Sequence, residues 1–335
     1  MENIKERNDI IEVGRELLET GLVARTWGNI SARKDEDNFL VTPSGLDYIT
    51  MKDEDIVEVN ISTGEWKGLH NPSGERGVHK AAYKAFDDVN FVVHTHQIYA
   101  TAIGLAGFDS LDITEEEEKR LGGIGFAAYG LPGTDKLTNA VEDALKAGNH
   151  IVMMIHHGVL ICGKDREDAM ERTRLLEEIC ERNVKRAIDS AKDSTALNKK
   201  DDEISTNLSK TLADKYTHFA IVSGEELIKV ANLGRSVKSQ LDDVSQMVGV
   251  KVKAVSPSKV VSALTRTNAV LVKGVGAIVT ADNNDDVEAL SVLMKKMGVV
   301  KLHTRAHRTE AVISFVDSIY MHHHYVTKYS KQKKS

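Results

Sequence analysis

The chain has 335 residues, enough for two domains of ordinary size, and its 41% apolar and 28% charged composition excludes a disordered or fibrous protein. Its 44 basic and 50 acidic residues leave a net charge near −6, which argues against a broad footprint on nucleic acid. Two cysteines, Cys162 and Cys180, cannot build a disulfide framework, and the longest apolar stretch, Ile151 to Cys162, is too short for a bilayer and is broken by His156 and His157. With no apolar leader in the first residues, the expectation is a cytoplasmic protein with neither membrane nor nucleic acid as a partner.

Ile10, Ile11, Val13, Gly14, Leu17 and Leu18 recur at helical spacing ahead of Thr20 and Gly21, which predicts an amphipathic helix with a stop signal. Strand-like runs follow at 39–42 and 56–60, then a helical pattern over 74–86 and a strand over 91–95. A helix at 97–105, strands at 124–128 and 151–155 separated by a helix at 134–147, and a long charged amphipathic helix at 165–188 complete one α/β domain, placed at 1–190. Apolar residues then thin out and aromatics vanish, so 191–213 reads as a linker or exposed helical bridge. Beyond it, runs at 216–223, 250–255 and 269–280 predict strands and 285–297 a helix, giving a second, smaller α/β domain at 214–335.

A weak internal repeat links the two halves. At an offset of 118, Val152, Gly158 and Asp168 fall on Val270, Gly276 and Asp286, and the run from Phe91 to His96 can be laid over Phe219 to Gly224 at a different offset. This overlay sets Val222, Gly224 and Val275 opposite His94, His96 and His157, so the second half is expected to be a partial, degenerate repeat without metal ligands.

His94 and His96 end a valine-rich run, and alternation along a strand projects both imidazoles from one face, where two nitrogens can grip one ion. A third ligand is offered by His157, whose following Gly158 lets the backbone turn tightly; His156 competes with it. Three neutral imidazoles leave an ion's charge uncompensated, which favours a Lewis acid over a structural clamp. Three loops, Thr26 to Ser31, Thr42 to Gly45 and Pro72 to Glu75, combine glycine with hydroxyl or amide donors, a composition that suits an anion but also ordinary turns.

The order Gly28-Asn29-Ile30-Ser31, Thr42-Pro43-Ser44-Gly45, Pro72-Ser73-Gly74-Glu75, His94-Thr95-His96 and His157-Gly158 resembles the class II aldolase and adducin head family over about residues 1–190. That resemblance implies an α/β/α domain with a central, mainly antiparallel sheet. It implies Zn2+ or another divalent ion on His94, His96 and His157, Glu75 as the catalytic acid/base residue, and Asn29, Ser44, Gly45, Ser73 and Gly74 facing a substrate phosphate. The implied reaction is reversible cleavage of a ketose 1-phosphate, with L-fuculose 1-phosphate as reference, by a homotetramer with sites between subunits. Sugar-phosphate 4-epimerases and related dehydratases or decarboxylases share the metal site, but the epimerases carry Asp where Glu75 stands. A non-catalytic, adducin-like structural head is the rival from another class.

Two departures stand out. Gly74 replaces a serine of the family's aldolase pattern, and acidic Glu115 to Glu118 occupy the stretch where its tyrosine is expected, so that either Tyr129 or a residue of a neighbouring subunit substitutes, or the substrate differs. His79 follows Glu75 by one helical turn and suits packing or support of the site. His303 and His307 share a helix face without an evident third ligand, while His322 to His324 and the tail lysines Lys328, Lys331, Lys333 and Lys334 read as solvated.

Overall fold

The computed structural model describes residues 4–23, 25, 27–191, 199–309 and 311–329. It divides into two compact units between Arg182 and Asn183, inside a long helix.

The first unit opens with α1 (Ile4–Glu19), which buries the apolar stripe Ile10, Ile11, Val13, Gly14 and Leu17. Strands β1 (Asn29–Arg33), β2 (Asn38–Val41), β3 (Val57–Asn60) and β4 (Trp66–Lys67) follow as antiparallel neighbours. Next come α2 (Arg76–Ala85), β5 (Phe91–Thr95), α3 (Ile98–Ala106), α4 (Glu115–Leu121), β6 (Ile124–Ala127), α5 (Asp135–Lys146), β7 (Ile151–Met154), β8 (Val159–Gly163) and α6 (Arg166–Asp189). The sheet runs β4-β3-β2-β1-β5-β8-β7-β6, with β6–β7 its single parallel pairing among the described residues. Val92, Leu160, Cys162, Val152 and Met154 line one face under Val78, Ala82, Leu137 and Val141 of α2 and α5. On the other face Gly104 of α3 lies against Met153, which gives the α/β/α layering.

The second unit contains α7 (Asp202–Ala213), β9 (Phe219–Val222), α8 (Glu225–Asn232), β10 (Val237–Lys238), α9 (Asp242–Met247), β11 (Lys251–Val255), α10 (Val260–Leu264), β12 (Ala269–Val272), β13 (Gly276–Thr280), α11 (Asn284–Ala306) and α12 (Phe315–His324). Within the segment read as a linker or exposed helical bridge, 202–213 is helix, and one side of it is buried: Leu208 and Leu212 of α7, with Ile204 one turn earlier, enter the core with Val270, Val272 and Ile278. An i, i+4, i+8 spacing of three apolar residues was enough to bury one face of an otherwise polar segment. The expected single strand at 269–280 is two, because Gly274 (φ 78°) reverses the chain between β12 and β13. His322 to His324 lie in α12, and His322 Nδ1 is 2.8 Å from the Gln246 carbonyl. Lys331, Lys333 and Lys334 lie outside the described residues.

The five-stranded sheet runs β10-β11-β12-β13-β9. Its β9–β13 and β13–β12 pairings are antiparallel and its β12–β11 pairing parallel, the same sequence of pairings that joins β5, β8, β7 and β6. The turns match as well: His157 N–H donates to Met154 O and Val275 N–H to Val272 O, each at 3.0 Å, with His156 at φ 69° where Gly274 has 78°. Register corrects the sequence overlay by one residue. His94 pairs with Leu160, and Ile278, which pairs with Val270 as Leu160 pairs with Val152, faces Ile221. Ile221 and Ser223, not Val222 and Gly224, thus occupy the places of His94 and His96, while Val275 keeps the place of His157. Overlaying two phenylalanines slid the strand by one position, which exchanges its faces.

Candidate metal centre

β5 carries His94 to the middle of the sheet, His96 follows directly after the strand, and the β7–β8 turn brings His157 back beside them. The turn fits because of Gly158, where a Cβ would lie 2.3 Å from the Thr95 carbonyl oxygen and 3.1 Å from ring carbons of His94 and His96. Gly28 (φ 91°) approaches from the other side, and a Cβ there would stand 2.4 Å from the His94 carbonyl oxygen. Only glycine combines that backbone angle with that closeness.

Nε2 of His94 lies 3.1 Å from Nε2 of His157 and 3.1 Å from Nε2 of His96. His94 Nδ1 is 2.9 Å from the Val159 carbonyl, an acceptor, so Nδ1 carries the proton and Nε2 presents a lone pair inward. If His96 and His157 present Nε2 in the same way, three lone pairs converge and repel unless a cation lies between them, a donor set that fits a divalent ion. His156, the competitor, takes the left-handed backbone position and packs edge-on to Tyr129, with ring centroids 5.1 Å apart.

Glu75 immediately precedes α2 and completes the group, Oε1 2.7 Å from His157 Nε2 and Oε2 3.2 Å from His94 Nε2. One ligand atom from each of Glu75, His94, His96 and His157 falls within 4.8 Å of the others. Burial alone would push the Glu75 carboxyl up, but positive charge within the histidine cluster, whether carried by protons on His157 and His94 or by an ion in their place, outweighs it and holds the group well below the usual carboxylate range. Trp27 stacks near the outer ligand, 6.5 Å between its ring centroid and that of His96.

A model of the Class II Aldolase and Adducin N-terminal domain matches residues 8–184. The chain belongs to this family. Among relatives, the L-fuculose phosphate aldolase of Methanocaldococcus jannaschii is 29% identical over 173 residues, 52% of this chain and 92% of that protein. The 5-methylthioribulose-1-phosphate/5-deoxyribulose-1-phosphate aldolase of Rhodospirillum rubrum is 32% identical over 177 residues, 52% of this chain and 78% of that one. A solved structure of an L-fuculose 1-phosphate aldolase is 26% identical, covering 54% of this chain and 85% of its own with a TM-score of 0.48.

In this class II aldolase domain the two remaining anion loops are joined. Ser44 N–H donates to Asn71 O (2.9 Å), Ser73 N–H donates to Thr42 O (3.1 Å), and Pro43 bridges Pro72. Ser44, Gly45 and Gly74 are exposed there, whereas Ser73 is buried and its Oγ accepts from Glu75 N–H at 3.2 Å. Asn29 lies beside Glu75. Its side chain is buried, with Nδ2 donating to Glu75 Oε2 (3.0 Å) and Oδ1 2.5 Å from His79 Nε2, so the amide serves the carboxylate. Thr26, part of the same loop, lies outside the described residues. Sequence reasoning passed over Ser31 and Tyr83, which sit behind His79. The signal was available: residues 29 and 31 share a strand face, and 75, 79 and 83 share a helix face.

Proposed function

We propose that this protein is a cytoplasmic, metal-dependent aldolase that reversibly cleaves a ketose 1-phosphate to dihydroxyacetone phosphate and an aldehyde. The observation that carries the reading is the convergence of three imidazole Nε2 atoms beside a carboxylate held below its usual range. The relatives' names point to 1-phosphorylated ketoses, and substrates of the L-fuculose 1-phosphate or 5-deoxyribulose 1-phosphate kind are the first candidates.

His94, His96 and His157 would hold Zn2+ or another divalent ion, which supplies a Lewis acid for the negative charge left when a carbon–carbon bond beside a ketone breaks. Glu75 is the proton carrier: ionised, it accepts a proton from dihydroxyacetone phosphate in the synthetic direction and returns it in cleavage. Ser44, Gly45, Ser73 and Gly74 offer hydroxyl and backbone N–H donors to the phosphate. The second unit has Ile221, Ser223 and Val275 at the positions matching the three histidines and serves as a companion, with no metal-ligand group among its described residues. A homo-oligomer, a tetramer by family resemblance, completes the reading; the exposed apolar side chains Phe315, Val316, Ile319 and Tyr320 of α12 are surface that association would cover, and light scattering tests it.

The deciding experiment offers the zinc-loaded full chain a panel of ketose 1-phosphates and measures dihydroxyacetone phosphate. Release from at least one is expected, and Glu75→Gln should retain the ion while losing about 100-fold or more of turnover. A metal-bound protein that epimerises substrate without cleaving it, or a Glu75→Gln variant with full turnover, refutes the assignment.

A further inference from the structure

Behind Glu75, β1 and α2 face each other through a ladder of polar side chains that the reaction itself does not use. Asn29 and Ser31 project from β1, and His79 and Tyr83 from α2; all four are buried, Ser31 and His79 completely. The contacts run in series: Tyr83 OH to Ser31 Oγ at 2.8 Å, Ser31 Oγ to His79 Nδ1 at 2.6 Å, His79 Nε2 to Asn29 Oδ1 at 2.5 Å, and Asn29 Nδ2 to Glu75 Oε2 at 3.0 Å.

The chemistry of the groups orders every proton in this series. An ionised carboxylate only accepts, so the Asn29 NH2 faces Glu75; the opposite amide orientation would set two oxygens against each other. Asn29 Oδ1 then requires a donor, which makes His79 Nε2 the protonated nitrogen. Burial, joined by the charge of His94 and opposed by that of Glu75, pushes the His79 imidazole down to about 3, so it is neutral and Nδ1 accepts from the Ser31 hydroxyl. Ser31 Oγ in turn accepts from Tyr83 OH. Four donors point the same way and end on the carboxylate, an arrangement in which each bond polarises the next.

We propose that His79 is a positioning residue, held in its Nε2–H tautomer by Ser31 and Tyr83 so that the Asn29 amide presents its NH2 to Glu75 and keeps that carboxylate beside the histidine cluster. The proposal rests on the reading of Glu75 as the proton carrier. Without the imidazole, the Asn29 amide can rotate, and Glu75 loses one fixed donor. Substrate and metal contacts are untouched, so the effect falls on kcat rather than on KM or metal content.

The test combines nitrogen NMR of the histidine-labelled, zinc-loaded full chain with steady-state kinetics. The spectrum should show His79 protonated at Nε2 and bare at Nδ1 at neutral pH. His79→Phe should lower kcat on the order of 10- to 100-fold at unchanged KM and zinc content, and His79→Gln, which offers an N–H towards Asn29 and an oxygen towards Ser31, should recover most of it. Ser31→Ala, a milder change if His79→Phe fails to fold, should lower kcat less and release the tautomer to Nδ1–H. A native Nδ1–H tautomer, or His79→Phe and Ser31→Ala variants with unchanged kcat, overturns the proposal. Full turnover by Glu75→Gln would instead overturn the reading of Glu75, while the tautomer spectrum would still decide whether the ladder is ordered as described.

Discussion

The two units pair their strands in the same order, β5-β8-β7-β6 and β9-β13-β12-β11, and reverse the chain through the same tight turn, yet one gathers three imidazoles where the other has Ile221, Ser223 and Val275. The difference shows that backbone pairing creates the place for a site and side chains alone decide whether it holds chemistry. Around His94 the first unit adds β1 and α2, whose facing polar ladder steadies Glu75. In the second sheet β9 lies at the edge, with no strand in the place of β1 among the described residues. Its buried polar groups do other work, such as the Lys296–Asp243 ion pair (3.2 Å) between α11 and α9.

The strongest way to break the contrast is to make the first unit resemble the second. His94→Ile installs the residue found at the matching register position, so the fold should persist, while bound metal and cleavage activity should both fall by about 1,000-fold or more. Metal analysis and the dihydroxyacetone phosphate assay measure this, and retained zinc-dependent turnover would show that the converging histidines are not the centre. In the second unit, Lys296→Met removes the ammonium 3.2 Å from the buried Asp243 carboxylate and should lower stability, read by denaturant unfolding, with the zinc content of the first unit unchanged. Pairing it with Asp243→Leu should restore most of that loss.

An effect seen only on acidification concerns His303 of α11, fully buried, with no hydrogen-bond partner for either ring nitrogen among the described residues. Burial, aided by the charge of His307, brings its imidazole from 6.5 down to about 3. The unfolded chain therefore takes up a proton near 6.5 that the folded chain refuses until about 3, so this contribution is intact above 6.5 and stability declines as pH falls towards 3, by at most about 1.4 kcal/mol per pH unit. His303→Leu should flatten that decline in thermal melts across this range. An unaltered slope would mean that His303 is already charged in the fold.

Much of the site was legible because its ligands follow local rules. His94 and His96 alternate on one strand, Gly158 marks a tight return, and the five motifs keep their order along the chain. The contacts of Asn29 with Glu75 and His79 were not legible for a physical reason: an amide has a donor and an acceptor end, and only the facing helix shows which end meets which group. The repeat was slipped by one residue because two short apolar strands can be overlaid equally well in either register, and hydrogen-bond pairing alone separates them. For 191–213 the sequence left linker and exposed helical bridge open, because three apolar residues spaced over two turns raise the average hydropathy of a polar segment very little, and the burial of Leu208 and Leu212 shows only in the fold.

Sequence by itself determined the residue types available for metal, phosphate and proton transfer, and the alternation that sends them to common faces, since both are properties of neighbours in the chain. Tertiary structure decided the rest. The convergence of His157 on His94 and His96, the direction of every hydrogen bond from Tyr83 to Glu75, and the register of the companion sheet depend on contacts between residues tens of positions apart, which only the packing of β1, α2, β5 and the β7–β8 turn brings together.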